Sequence, residues 1–354
     1  VDYGIAGIIG AESWKTVQRA EQLGFSHAWF YDSPMYVADI FVAMAATAVK
    51  TSTIRLGMGV AVPSARIAPT LADGLASLNQ LAPGRIDFGV GTGNTARSLM
   101  GVGPMKLADM REYMRVVREL LAGGVVEYDF ENDRRKIKFM HPVPGLVNLT
   151  DPIQWHVSAM GPRSRQLTAE MAAGWINFLT GTPGALADVA DMRAKWQAAG
   201  HDIDDCYTTA FTLGCVLADN EPADSPRSML QAGPHAALVL QHLINTEGRI
   251  DIGDQGAAEM SGTTAEYQKI YDAYEPADTR YMQLYRGHLM WVLPEEKHLI
   301  SEELIRQVSL TGTVAELRDR IRELQAAGYR QLTIQLVAGQ EDALDDWAHV
   351  IEGV

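Results

Sequence analysis

Short apolar runs alternate with stretches whose apolar positions recur every three to four residues, and this alternation fills most of the chain. Tyr3 to Ile9 predicts a first buried strand ended by Gly10. Trp14, Val17, Ala20 and Leu23 then mark one face of a helix stopped at Gly24. Phe25 to Tyr31 predicts a second strand, and Asp39 is placed to cap a helix from Ile40 to Val49. Ile54 to Val62 predicts a third strand closed by Pro63, followed by a helix over 69–82. Ile86, Phe88 and Val90 give a fourth strand that opens into a glycine-rich loop. From Lys106 the period turns helical again, through Leu107, Met110, Met114, Val117 and Leu120.

Residues 123–152 break the rhythm. Val125 to Tyr128 and Ile137 to Phe139 flank the polar run Glu131 to Lys136, which predicts a hairpin insertion. The alternation returns with strands at Gln154 to Ala159 and Trp175 to Leu179, helices over 162–172 and 184–198, and a longer strand from Tyr207 to Leu217. A second insertion, about 219–300, is rich in Met, Tyr and His and predicts a cap with helices near 226–245 and 263–275. Thr313 to Ala327 is helical, Gln331 to Val337 is the last strand, and 342–352 closes the chain. Eight strand–helix units favour a closed (β/α)8 barrel, the TIM barrel, over an open doubly wound sheet. The insertions then follow strands 4 and 7. No linker composition divides residues 1–354, so a single domain is expected.

Composition narrows the class. At 354 residues, 47% hydrophobic and 21% charged, the chain has the make-up of a soluble globular protein. A net charge of -14 argues against a nucleic-acid footprint or an anionic membrane surface as partner. Two cysteines, Cys206 and Cys215, are too few for a disulfide framework or a structural zinc site. With no signal-like start in residues 1–20, they point to reducing cytoplasm. No metal site is expected.

In such a barrel the loops after the strands build the site. Those loops carry Asp32-Ser33, Gly59-Val60-Ala61, Gly91 to Ala96, and Ser158 to Arg163. Gly91 and Gly93 would let backbone approach a ligand, or serve only a tight turn. Ser158, Met160, Gly161, Pro162 and Arg163 lead into a helix with a second arginine, Arg165. Free N–H groups, a hydroxyl and a guanidinium there suit a phosphate. Asp32 could be solvated or could face a flavin-like ring. His27 lies within a strand and reads as structural, and His288 falls in the cap. GVGTGN has only two glycines of a dinucleotide fingerprint, which is weak support for a Rossmann domain.

At FSHAWFYDSP, IRLGMGVAVP, PGRIDFGVGTGNTA and SAMGPRSRQLTAEMAAGW the chain resembles the luciferase-like monooxygenase superfamily. The resemblance is nearest to the branch of methylenetetrahydromethanopterin reductase and other coenzyme F420 enzymes. It implies a barrel holding a reduced deazaflavin or FMN at its carboxyl face, with a non-proline cis peptide at Gly59–Val60 and a phosphate loop over Met160 to Arg163. Cofactor contacts are implied at Asp32, Gly59, Val60, Ala61, Gly91, Thr92, Gly93 and Asn94. The catalytic candidates are Asp32, Asn94 and His288. Two departures stand out: Ser33 replaces the family's His, and Asn94 replaces an acidic residue. These remove proton-transfer groups of the sugar-phosphate dehydrogenases. Hydride transfer between coenzyme F420 and a small organic substrate is the expected activity. The alternative is an oxygenase using reduced FMN supplied by a flavin reductase, and a more remote one is a non-catalytic flavin-binding barrel. A homodimer through the helices at 39–49 and 69–82 is also implied.

Overall fold

The computed structural model describes residues 1–141, 143–245 and 261–354. Eight parallel strands close into a barrel: β1 (Asp2–Ile8), β2 (His27–Phe30), β3 (Arg55–Ala61), β4 (Ile86–Val90), β5 (Gln154–Ser158), β6 (Gly174–Phe178), β7 (Thr208–Thr212) and β8 (Gln331–Gln335). The strand order around the barrel follows the chain, with β8 returning to β1. Each strand is followed by helix, as right-handed crossovers between parallel neighbours require. This is the (β/α)8 barrel expected from the sequence. The chain divides into two compact units, one of residues 8–98 and 103–175, the other of residues 1–7, 99–102 and 176–354.

In the first unit, Asp39 caps the helix Ile40–Ala48, its Oδ1 accepting from the N–H groups of Phe41 and Val42 at 2.9 and 3.3 Å. The helix Leu107–Leu121 buries Met110, Met114, Val117 and Leu120 along one stripe, as its period required. Between the strands lies a buried ionic cluster. Arg55 grips Asp87 through Nε and Nη2, both at 2.9 Å, while His156 Nε2 lies 3.4 Å and His27 Nε2 3.9 Å from the same carboxylate. Burial alone would raise the Asp87 carboxyl; His156 and Arg55 overcome this and hold it below the usual range. His27 is thus part of the barrel interior, as its strand position suggested.

The hairpin insertion differs in detail from its prediction. Its strands are Val126–Phe130 and Asp133–Ile137, so the polar run is itself a strand. Both are largely exposed: only Val126 is buried, and the second strand, Asp-Arg-Arg-Lys-Ile, carries no apolar alternation to announce it. Its turn is Glu131-Asn132, both at positive φ, and Arg134 pairs with Glu127 and Asp129.

In the second unit, the long strand expected over 207–217 is broken. β7 stops at Thr212, and Val216–Leu217 pairs separately with Gly312–Thr313. The break falls at Gly214, where a Cβ would lie 2.0 Å from the Leu310 carbonyl oxygen. The cap places helices at Pro226–Gln231, Gly233–Asn245 and Ser261–Asp272; the predicted span between 245 and 261 lies outside the described residues. Ala236, Leu240, Tyr267, Tyr285 and Ile305 form an apolar core there. Among the described residues no helix is long and apolar enough to cross a membrane.

Candidate active site

Four adjacent strands, β2 to β5, carry or lead into the predicted site residues other than His288, and all of these lie in the first unit. The β3–β4 ladder loses register between Met58 and Ala61, where the Gly59–Val60 peptide is cis. Pairing resumes at Ala61 with Val90, and the Gly91 N–H donates to the Ala61 carbonyl at 3.1 Å. Gly91 is the meeting point of three segments. A Cβ there would lie 2.8 Å from Val60 Cγ2 and 3.5 Å from the Ser158 Cβ. The ends of β3, β4 and β5 therefore converge on one spot that only a glycine can occupy unaltered.

Gly93 has a different reason to be glycine. Its φ is +83°, and a Cβ would lie 2.6 Å from Val62 Cγ1 and 2.8 Å from Arg97 Cδ. The space it leaves is taken by protein side chains. Thr92 closes the loop by accepting from the Met105 N–H at 2.9 Å. Asn94, exposed, opens a short helix over Asn94–Ser98 that the sequence pattern did not announce.

Asp32 is 5% exposed, and its two oxygens have separate donors. Arg66 Nη1 donates to Oδ1 at 2.7 Å, and the Val62 N–H donates to Oδ2 at 3.3 Å. The other arm of the Arg66 fork, Nη2, donates to Asp39 Oδ2 at 2.6 Å. The Tyr113 hydroxyl holds the Arg66 carbonyl at 2.9 Å. Burial by itself would lower the Arg66 guanidinium, but Asp32 and then Asp39 outweigh that and raise it. Arg66 therefore fastens the loop after β3 both to Asp32, after β2, and to the helix start at Asp39. Arg66 was missed by sequence reading. The available signal was its place after β3, only three residues beyond the Pro63 taken as the strand's end.

After β5, Ala159 is buried while Met160, Gly161, Pro162 and Arg163 are exposed. Gly161 precedes the helix Pro162–Glu170, whose first internal bond is Arg165 N–H to the Gly161 carbonyl at 3.0 Å. Helix geometry leaves the N–H groups of Arg163 and Ser164 without an intrahelical acceptor. Arg165 is buried and folds back, its Nη1 donating to the Met160 carbonyl at 2.6 Å. The second arginine thus shapes the turn and the first is left at its surface. Exposed amides, a proline at the first turn and a guanidinium fit an anionic group such as a cofactor phosphate.

His288 belongs to the other unit. It is 3% exposed, with Nδ1 3.0 Å from Gln241 Oε1, and its ring packs edge-on against Tyr285. Burial, and secondarily His242, lowers it to about 3, so the ring is neutral at ordinary pH. It is enclosed in the cap interior. Among the described residues no group of three or more His, Cys, Asp or Glu side chains is arranged to hold a metal ion.

The fold is a (β/α)8 barrel in which the loops after β2 to β5 carry the candidate site residues. The family model for luciferase-like monooxygenases matches residues 11–331, and the chain belongs to that family. One relative is the 5,10-methylenetetrahydromethanopterin reductase of Archaeoglobus fulgidus, 26% identical over 322 residues, which span 89% of this chain and 86% of that protein. The coenzyme F420-dependent tetrahydromethanopterin reductase of Methanopyrus kandleri has a similar solved structure. Its TM-score is 0.72 at 20% identity, covering 98% of this chain and 97% of that one. The oxygenating constituent of 3,6-diketocamphane monooxygenase from Pseudomonas putida, solved with FMN, aligns with a TM-score of 0.62 at 14% identity. That alignment covers 99% of this chain and 96% of the other.

Proposed function

We propose that this chain is a coenzyme F420-dependent oxidoreductase that moves hydride between the deazaflavin and a small organic substrate. The observation that carries the reading is the convergence of Val60, Gly91 and Ser158 in the same unit as the exposed turn Gly161 to Arg163. Relatives with F420-dependent names support the choice of cofactor. A reduced deazaflavin bound there supplies the hydride; the protein supplies placement. Arg163 and the amides of the following turn hold the phosphate. Gly59, Val60, Ala61, Gly91, Thr92 and Gly93 form the wall against which the ring is set. Asp32, tied to Arg66 and Val62, fixes that wall's geometry. Asn94, neutral, orients substrate or ring through its amide and cannot act as a general acid at ordinary pH. His288 contributes by holding the cap through Gln241.

The FMN-dependent oxygenase, fed by a flavin reductase, is the second reading. It is favoured by the absence of acid–base side chains at Ser33 and Asn94. Anaerobic titration of the purified chain with reduced coenzyme F420 and with reduced FMN decides between them. Tight binding of F420 with hydride exchange supports the proposal. Binding of FMN alone, with substrate-dependent oxygen uptake, overturns it.

The same reading includes a cytoplasmic homodimer. Phe41, Arg66, Thr70, Asp73, Gly74 and Ser77 line a groove between the helices Ile40–Ala48 and Ala68–Leu81, flanked by exposed Val42, Val49 and Leu81. A monomer by light scattering at micromolar concentration would remove this part.

A further inference from the structure

The interior face of β8 is polar. Gln331, Thr333 and Gln335 alternate with Leu332 and Ile334. The direction of each set follows from β1: the Tyr3 hydroxyl accepts from Gln325 Nε2 of the outer helix Val314–Ala327 at 3.0 Å, and Tyr3 is in register with Leu332. Leu332 and Ile334 therefore face the helices, and Gln331, Thr333 and Gln335 face the inside of the barrel. Thr209 of β7 is in register with Gln331 and shares that face.

Gln331, Thr333 and Thr209 are each 0% exposed. Gln331 Oε1 and Nε2, Thr333 Oγ1 and Thr209 Oγ1 have no hydrogen-bond partner among the described residues. Four such atoms in one place are a heavy cost, because an unmade buried hydrogen bond forfeits the full desolvation of its group. Direct bonding along the strand is out of reach, since residues two apart on one face lie about 6.6 Å from each other. One water molecule spans about 5.5 Å between two polar atoms and so can bridge groups that do not meet directly. The register partner of Thr333 on β1 is Gly4, a residue without a side chain.

We propose that the inner face of β7 and β8 binds a file of ordered water molecules. The file runs from Gln331, in register with Asp2 at the amino end, past Thr209 and Thr333 toward Gln335. At the carboxyl end Gln335 Nε2 donates to the Leu289 carbonyl of the cap at 3.1 Å, closing the row with a direct bond. The ligand is water alone: the unpartnered side chains Gln331, Thr333 and Thr209 are uncharged, and each can use both a donor and an acceptor, which water supplies.

A high-resolution crystal structure of the full chain tests this directly. Ordered waters within hydrogen-bonding distance of Gln331, Thr333 and Thr209 are expected, and water at none of the four atoms overturns the proposal. Thr333→Val and Gln331→Met give a second readout with opposite signs for the two cases. If the atoms are hydrated, each variant loses at least one long-lived water by oxygen-17 relaxation dispersion, and its melting temperature stays level or falls. If they are dry and unsatisfied, apolar replacement relieves the cost, so a rise in melting temperature with no change in bound water overturns the proposal.

Discussion

Arg66→Met tests whether the candidate site is held by the ion pair beneath it. The substitution keeps most of the apolar stem and removes both arms of the fork, together with the guanidinium carbon that lies 5.1 Å from the Phe41 ring centroid. The Asp32 carboxylate, 3% exposed, then retains only the Val62 N–H at 3.3 Å. Removing one partner of a buried pair costs about 3–5 kcal/mol. The lower end applies because Arg66 is 15% exposed. The Asp39 arm adds about 0.5 kcal/mol at most, since that carboxylate is half exposed. The expected loss is thus about 3 kcal/mol, measured as a shift in urea midpoint at unchanged slope. Asp32→Asn in the same background closes a double-mutant cycle. The neutral amide no longer needs the guanidinium, so the double variant should be more stable than the sum of singles by about 1–3 kcal/mol. Strict additivity, or an Arg66→Met loss below about 0.5 kcal/mol, would refute the idea that this pair fastens the loop after β3.

Other outcomes follow from the same geometry. Arg163→Ala should weaken binding of the true cofactor by about 1–3 kcal/mol, the range for charged hydrogen bonds, with folding unchanged; equal affinity in a titration removes Arg163 from the site. Asn94→Asp should lower turnover at least about tenfold by setting a carboxylate near an electron-rich reduced ring, and full activity would place Asn94 away from the reacting edge. Acidification should loosen the cap first. Burial holds His235 and His242 at about 4 and His288 at about 3, against an ordinary value of 6.5, so their neutral forms stabilise the fold above 6.5 and that stability is lost as pH falls. Each group costs about 2 kcal/mol by pH 5. Glu296, raised by burial, changes in the opposite sense and offsets part of this. Hydrogen exchange over 233–242 that is no faster at pH 5 than at pH 7, after correction for intrinsic rates, would contradict this ordering.

What the sequence determined by itself is whatever rests on local periodicity. In Ile86 to Val90 the apolar Ile86, Phe88 and Val90 mark a buried strand, while Met110, Met114 and Val117 fall on one stripe of a helix. Both signals survive without knowledge of any partner. Eight such pairs are enough to name the barrel, and the barrel places Asp32, Gly91 and Gly161 after their strands. The sequence could not assign partners to these residues. Asp32 and Arg66 are 34 residues apart in the chain, so nothing local couples them. Gly91 and Gly93 look alike in the chain, yet one leaves room for Val60 and Ser158 and the other for Val62 and Arg97. The exposed ribbon at 126–137 and the break at Gly214 were misread for related reasons. In the first, the second strand, Asp133–Ile137, buries nothing and so carries no apolar pattern, and the second is imposed by the Leu310 carbonyl, 96 residues away. Only the tertiary structure, by bringing distant backbone and charge into contact, decided which neighbours surround Asp32, Gly91 and Gly93.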